Sequence, residues 1–420
     1  TPPLPLQPPP TEILSQAGRF ATTLSAAGVA SGDRVAVQVE KSVEAVCLYL
    51  AVLQAGAVYL PLNTAYTAAE LEYFISDAAP KVVVCDPGRE AALGMLSRKA
   101  GAWLYTLGPA GQGSLVSDAA GLPSERLVAQ RRGEDVAAIL YTSGTTGRSK
   151  GAMLTHDNLW SNVATLHWLW GFRTGDVLIH ALPLYHTHGL FVALNIMLMN
   201  GGKVILLPKF DAEQVLGLMP RASVLMGVPT FYTRLLAEPG LDREAARNMR
   251  LFISGSAPLL ESTHRDFETR TGHRILERYG MTETGMNASN PLDGERRAGT
   301  VGPALPGVGL RVCDETGRQL LPGEVGVLEV RGPNVFTGYW QMPEKTAAEF
   351  RPDGYFVTGD LATIGNDGYV TIVGREKDLI ISGGLNIYPR EVEAEIDGLP
   401  GIAESAVIGV PHPDFGEAVV

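Results

Sequence analysis

Between Asp33 and Asp86 the hydrophobic pattern alternates between two periods. "DRVAVQVE" alternates with period two, and "SVEAVCLYLAVLQAG" repeats with the helical period and stops at Gly56. "AVYLPLN" then returns to the strand pattern, "TAAELEYFISDAA" is a helix opened by a Thr67 cap, and "KVVVCD" is a further strand. Strands joined through helices of this length cannot pair as hairpins. They predict parallel sheets with helices on both faces, an α/β architecture. The rhythm returns at "DVLIHALPL", "KVILLP", "SVLMGVP" and "RLFISGSA". An amphipathic helix over residues 12–30, ended by Gly28 and Gly32, precedes the first strand.

After Gly299 the texture changes. Gly/Pro turns separate short alternating strands, "GLRVCD", "GVLEVRG" and "GYVTIVG", which predict a small β-barrel or antiparallel sheet. From about Asp378 the order strand, loop, helix, strand begins a small α+β domain that is incomplete at Val420. The expected division is a large N-terminal domain, residues 1–376, followed by the start of a C-terminal domain, residues 377–420. A chain of 420 residues is long enough to divide in this way.

Composition removes several function classes. A formal net charge of −11 argues against nucleic acid as the main partner, because a phosphate polymer needs a basic face. Cys47, Cys85 and Cys313 are far apart and form no CxxC pair, which disfavours a disulfide framework or zinc site and fits a reducing, cytoplasmic setting. The opening "TPPLPLQPPP" is proline-rich and extended, without the basic and apolar segments of a signal peptide. Ala45 to Leu62, the longest uncharged run, contains Gln54, Gly56 and Pro61 and reads as helix, turn and strand rather than a membrane span.

The most specific stretch is "YTSGTTGRSKG", Tyr141 to Gly151, directly after the apolar run "VAAIL". Its glycines let backbone N–H groups face an anion without Cβ obstruction, its hydroxyls add donors, and Lys150 adds a charge. This suits a polyphosphate. A Walker A loop would need glycine before Lys150, and Ser149 stands there. Further on, "LPLYHTHG" holds His186 and His188 two apart, which on a strand would share a face. No third ligand accompanies them, so zinc is disfavoured. "ILERYGMTETG" reads as a strand, a turn, and hydroxyls flanking Glu283, with the cation Arg278 just before the turn.

These motifs and their order resemble the adenylate-forming superfamily of acyl-CoA synthetases, nonribosomal adenylation domains and beetle luciferases, from about residue 12 to 420. The resemblance implies ATP, Mg²⁺ and coenzyme A. It implies that Thr142, Ser143, Gly144, Thr145, Thr146, Gly147 and Lys150 gather the β- and γ-phosphates. "GSAPL", with Gly255, Ser256 and Ala257, corresponds to the adenine-side motif. Glu277, Tyr279, Gly280 and Met281 belong to the segment that holds adenine, Thr282 meets the α-phosphate, and Glu283 holds the metal. Asp360 serves the ribose hydroxyls with Arg375; Lys377 is the hinge, and Gly383 and Gly384 form the loop for the thioester step. His186 lies near the reacting carboxylate and the pantetheine tunnel. A catalytic lysine of the family falls beyond Val420, so a chain ending there is expected to bind nucleotide but adenylate weakly.

Arg278 departs from the pattern of many acyl- and aryl-activating relatives, which keep a small or apolar residue there. A guanidinium pairs bidentately with carboxylates, so a second carboxylate on the substrate is expected, with His188 and Met286 completing the substrate pocket. "LERYGMTET" together with "YHTHGLF" and "GSAPLL" resembles the malonyl-CoA synthetases, which implies malonate or a similar dicarboxylate as substrate and a monomer or homodimer as the working form. The competing readings are a synthetase for another short or medium acid, with Arg278 turned to solvent, and a catalytically silent nucleotide-binding homologue. An amino-acid-activating domain would place an aspartate near Phe252 to Ser256, and none is there.

Overall fold

The computed structural model describes residues 9–125, 128–142, 148–382, 385–397, 399, 401–402, 405–412 and 416–420. These form two compact units, Thr1–Val163 with Ile179–Phe210 and Phe336–Pro343, and Ala164–Leu178 with Asp211–Val335 and Glu344–Val420.

The first unit is built on a mixed sheet. Its parallel part runs in the spatial order Val136–Thr142, Val58–Pro61, Arg34–Gln38, Val82–Cys85, Trp103–Thr106, with crossover helices such as Val43–Gln54 and Ala68–Ala78. Every residue of Val58–Pro61 and Val82–Cys85 is buried, as strands covered on both faces require. Thr67 caps its helix through a reciprocal box with Glu70. The first helix spans Pro10–Ala26, with proline at its first turn, where the missing N–H is harmless. Val136–Thr142 and Lys150–Thr155 pair antiparallel, with Thr142 opposite Lys150, so both stand where the phosphate-loop sequence leaves the sheet.

In the second unit, Val224–Gly227, Leu251–Ser254 and Leu276–Met281 lie parallel, and Gly285–Ser289 returns antiparallel beside Leu276–Met281. The expected barrel-like piece is a four-stranded antiparallel sheet in the order Gly309–Cys313, Gly326–Arg331, Phe356–Ile364, Val370–Arg375. Its first and last strands occupy opposite edges, so among the described residues it is open, which corrects the barrel alternative. Glu329 anchors this sheet. It is fully buried and accepts hydrogen bonds from Arg311 Nε at 2.8 Å and Arg351 Nε at 2.7 Å. Glu329→Ala is expected to cost about 3 kcal/mol, because it removes the buried carboxylate that Arg311 and Arg351 share, leaving Arg311 with only Asp353 and Arg351 without this partner. Urea unfolding measures this, and a loss below about 1 kcal/mol would mean the arginines turn to solvent at little cost.

The final segment pairs Leu385–Ile387, Ile380–Ser382, Gly416–Val419 and Gly409–His412 as a small sheet, with the helix Pro389–Asp397 between its strands in sequence. That is the anticipated α+β order. Among the described residues no helix is long and apolar enough to cross a membrane; Ala45 to Leu62 divides into helix and strand as expected.

Candidate functional site

The strand Leu276–Met281 carries the chemistry of the second unit. Its side chains alternate between faces, so Glu277 and Tyr279 point one way and Arg278 the other. The turn at residues 282–284 follows, and Gly285–Ser289 turns back, with a register shift at Tyr279/Gly280. Gly280 allows that close return: a Cβ there would sit 2.1 Å from Gly285 O. The strand, turn and carboxylate expected of "ILERYGMTETG" are all present.

A cavity of about 700 Å³ opens beside this strand. Gly255, Ser256, Ala257, Glu277, Arg278, Tyr279, Gly280, Asp360, Arg375 and Lys377 all line it, so motifs more than 100 residues apart in sequence converge. Ser256 sits on its wall with φ +70, a left-handed conformation that a serine adopts at a cost and that clusters at functional sites.

Asp360 and Arg375 face one another across the antiparallel pair Phe356–Ile364 and Val370–Arg375. Arg375 Nε donates to Asp360 Oδ1 at 2.6 Å, and the Tyr279 hydroxyl donates to Asp360 Oδ2. Burial pushes the Asp360 carboxyl above its ordinary value, while Arg375 and Tyr279 pull it back. Burial and the neighbouring Asp360 push the Tyr279 phenol well up, so it remains a donor. The result is a buried acceptor whose two oxygens are oriented and still have lone pairs for further donors.

Arg278 is 3% exposed. Its Nε and Nη2 have no hydrogen-bond partner among the described residues. Glu277, the adjacent acid, is not its partner, because it faces the other way and its Oε1 lies 3.4 Å from His264 Nδ1. The guanidinium lies flat against Gly255, where an added Cβ would come 2.5 Å from Cζ and 2.6 Å from Nε and Nη1. Buried Tyr232 stands nearby, its hydroxyl donating to Ile253 O at 2.6 Å. Burial lowers the Arg278 pKa to about 9, still charged at neutral pH. A desolvated cation with unmatched donors is the complement of an anion.

Glu283 and Met286 are buried in the turn and the strand after it. Met281 and Thr282 end the strand and begin the turn, away from the lining just described. In the first unit, Thr142 and Lys150 close the base of the phosphate-loop sequence, and Lys150 Nζ is 3.1 Å from the Tyr339 hydroxyl and 4.1 Å from the ring centroid. Ser143, Gly144, Thr145, Thr146, Gly147, Gly383 and Gly384 lie outside the described residues. His186 and His188 do not share a strand. The strand ends at His180, His186 is exposed on a bend, and buried His188 begins a π-helix, His188–Leu194. Glycine suits the tight fold here, since an added Cβ at Gly189 would come 2.0 Å from Pro183 O. His264, Tyr232 and Arg390, which also lines the cavity, carried no signal in the sequence, since each reads as an ordinary helix residue.

Residues 11–340 match the AMP-binding enzyme family. A mitochondrial malonate–CoA ligase from Bos taurus is 37% identical over 92% of this chain and 72% of its own length. The crystal structure of ATP-bound MatB from Rhodopseudomonas palustris is 62% identical, with a TM-score of 0.96 over 97% of this chain and 82% of its own. A malonyl-CoA ligase in a ternary product complex with methylmalonyl-CoA and AMP is 38% identical, with a TM-score of 0.75 over 97% of this chain and 84% of its own.

Proposed function

The chain belongs to the AMP-binding enzyme family, and on that footing we propose that it is an ATP-dependent malonate–CoA ligase. The observation that carries the substrate is Arg278, a buried guanidinium with two nitrogens unpartnered among the described residues, lining the same cavity as Gly255, Tyr279, Asp360 and Arg375. A monocarboxylate would leave that charge unmatched, whereas malonate brings a second carboxylate to it. The malonate–CoA ligases among its relatives point the same way.

The reaction has two halves. One malonate carboxylate oxygen attacks the α-phosphorus of ATP, the bond from that phosphorus to the bridging oxygen breaks, and pyrophosphate leaves. The coenzyme A sulfur then adds to the carbonyl carbon of malonyl-adenylate, its proton is lost, and AMP departs. The protein supplies alignment and fixed charge. Arg278 holds the non-reacting carboxylate, and His188 and Met286 are assigned to the substrate as well. Asp360 accepts from the ribose hydroxyls and Arg375 donates to the sugar; Gly255, Ser256, Ala257, Glu277, Tyr279, Gly280 and Met281 form the adenine side. Thr142, Lys150 and the intervening loop take the β- and γ-phosphates, Thr282 the α-phosphate, and His186 the reacting carboxylate.

Mg²⁺, when bound, screens the phosphate charge against the incoming carboxylate. Glu283 fits as its protein ligand: it is a hard oxygen donor on the turn beside Thr282, and no group of three or more His, Cys, Asp or Glu among the described residues could hold a metal alone. Mg²⁺ commonly takes one or two carboxylates with substrate phosphates and water. Between the half-reactions residues 377–420 turn about Lys377, bringing Gly383 and Gly384 to the thioester step. The setting is cytoplasmic and the working form a monomer or homodimer; the three buried, unpaired cysteines support a reducing compartment.

ATP–pyrophosphate exchange on the complete protein tests the substrate. Malonate is expected to outpace acetate and octanoate by about a hundredfold or more in kcat/KM. Methylmalonate, with the same two carboxylates, is the natural second acid in the panel. Equal rates with acetate would sink the dicarboxylate reading and favour a general short-acid synthetase.

A further inference from the structure

We propose that Lys41 and His180 act as one positioning relay that sets the conformation of residues 180–189, the segment carrying His186 and His188. The inference rests on the malonate–CoA ligase reading and adds two residues that lie in none of the nucleotide motifs of the sequence.

Lys41 follows the strand Arg34–Gln38 and projects to a segment 139 residues later in sequence. Its ammonium donates to His180 Nδ1 at 2.8 Å, to His180 O at 2.7 Å and to Leu182 O at 2.7 Å. Three protons meet three acceptors, so the cation is fully satisfied without a carboxylate. Because Nδ1 accepts, the proton of the neutral ring sits on Nε2, which donates to Gly189 O at 2.8 Å. His180 is 1% exposed. One continuous chain of hydrogen bonds therefore ties the start of the segment, at residues 180 and 182, to its end at residue 189.

The segment between those anchors is already tightly folded, with Gly189 packed on the Pro183 carbonyl. The carbonyl at 180 also accepts from Leu207 N at 3.0 Å, and the relay adds a shared hold on that carbonyl together with those at 182 and 189. Burial together with the Lys41 charge presses the His180 pKa down to about 3, so the ring stays neutral over any working pH. Burial likewise lowers Lys41. Placing a lysine where a methionine would fill the space costs desolvation. The arrangement gains directional hold on a loop, which apolar packing does not supply.

The test is steady-state kinetics on the complete protein with Lys41→Met, His180→Phe and the double variant. Each single variant is expected to raise the malonate KM about tenfold, the factor that accompanies loss of one charge-assisted hydrogen bond, with the ATP KM changed less than about twofold. The double variant is expected to match the worse single variant, because both cut the same chain. A malonate KM unchanged despite a lowered melting temperature would make the pair merely structural and overturn the relay. So would malonate and ATP KM values rising together, or effects that multiply. If Lys41→Met does not fold, His180→Phe carries the test by itself, since it keeps a planar aromatic ring and removes both ring bonds. A wild-type protein that does not activate malonate would overturn the ligase reading instead, and an active wild type with unaltered variants overturns the relay alone.

Discussion

Arg278→Met is expected to lower kcat/KM for malonate by about a thousandfold, to leave ATP affinity within about twofold, and to raise the melting temperature. The three effects share one cause. In the free protein the Arg278 charge is desolvated, with Nε and Nη2 unmatched among the described residues. Folding pays for that charge, and on the proposed reading malonate is expected to recover the cost on binding, making the site selective for an acid with a second carboxylate. Methionine fills similar space without charge, so the folded state loses a penalty while the substrate loses its counter-ion.

The pH dependence follows the same sign. Burial holds the folded-state pKa, about 9, below the unfolded value. The unfolded chain then binds more protons between the two values, and stability rises with pH only there. Below about pH 9 the penalty is present in full, so the stabilisation of the variant should be visible at neutral pH and shrink as the pH climbs beyond that point. Differential scanning fluorimetry adds a second readout, because malonate alone should raise the melting temperature of the wild type and not of the variant. A variant that keeps malonate turnover within tenfold of wild type, on the order of 1.4 kcal/mol, would exclude Arg278 as the carboxylate partner.

The second large effect belongs to Asp360. Asp360→Ala is expected to weaken ATP binding about a hundredfold or more and to lower thermal stability as well. The carboxylate is 3% exposed and is the acceptor for both the Tyr279 hydroxyl and Arg375 Nε. Its removal takes away the acceptor assigned to the ribose and leaves a buried phenol without its partner. Arg375, whose side chain is 44% exposed, can still reach water, so the larger share of the stability loss should come from Tyr279. Isothermal titration with ATP distinguishes this variant from Arg278→Met, which is expected to bind nucleotide normally. Wild-type ATP affinity in Asp360→Ala would remove Asp360 from the nucleotide site.

How much of this was legible beforehand depended on the range of the interaction. The first sheet was readable because parallel strands buried on both faces must be apolar runs separated by amphipathic helices, as in Val58–Pro61 and Val82–Cys85. The Thr67 cap was readable because a capping box lies within four residues. The two histidines of "YHTHG" would share a face only on a strand, and they do not lie on one: local alternation gives no hint of the π-helix that begins at His188, where Gly189 packs against the carbonyl of Pro183. The barrel alternative after Gly299 failed for a related reason: short alternating strands define hairpins, but closure depends on whether the outermost strands meet. Lys41 gave no warning, because a lysine after a strand is ordinarily a solvated one, and its acceptors are 139 and 141 residues away.

The sequence by itself determined the periodicities, the glycine-rich loop between two strands, and the presence of one guanidinium where a small residue is common. Those are properties of residue type and spacing, and short-range chemistry is enough to read them. Only the tertiary structure decided that Arg278 is buried rather than turned to water, that Glu277 gives its carboxylate to His264 instead, and that Gly255 leaves the space in which the guanidinium lies. Alternation on a strand assigns Arg278 and Glu277 to opposite faces, but what covers each face comes from distant segments of the chain. Burial turns a common surface cation into one unmatched among the described residues, and on the proposed reading that charge is what selects the substrate.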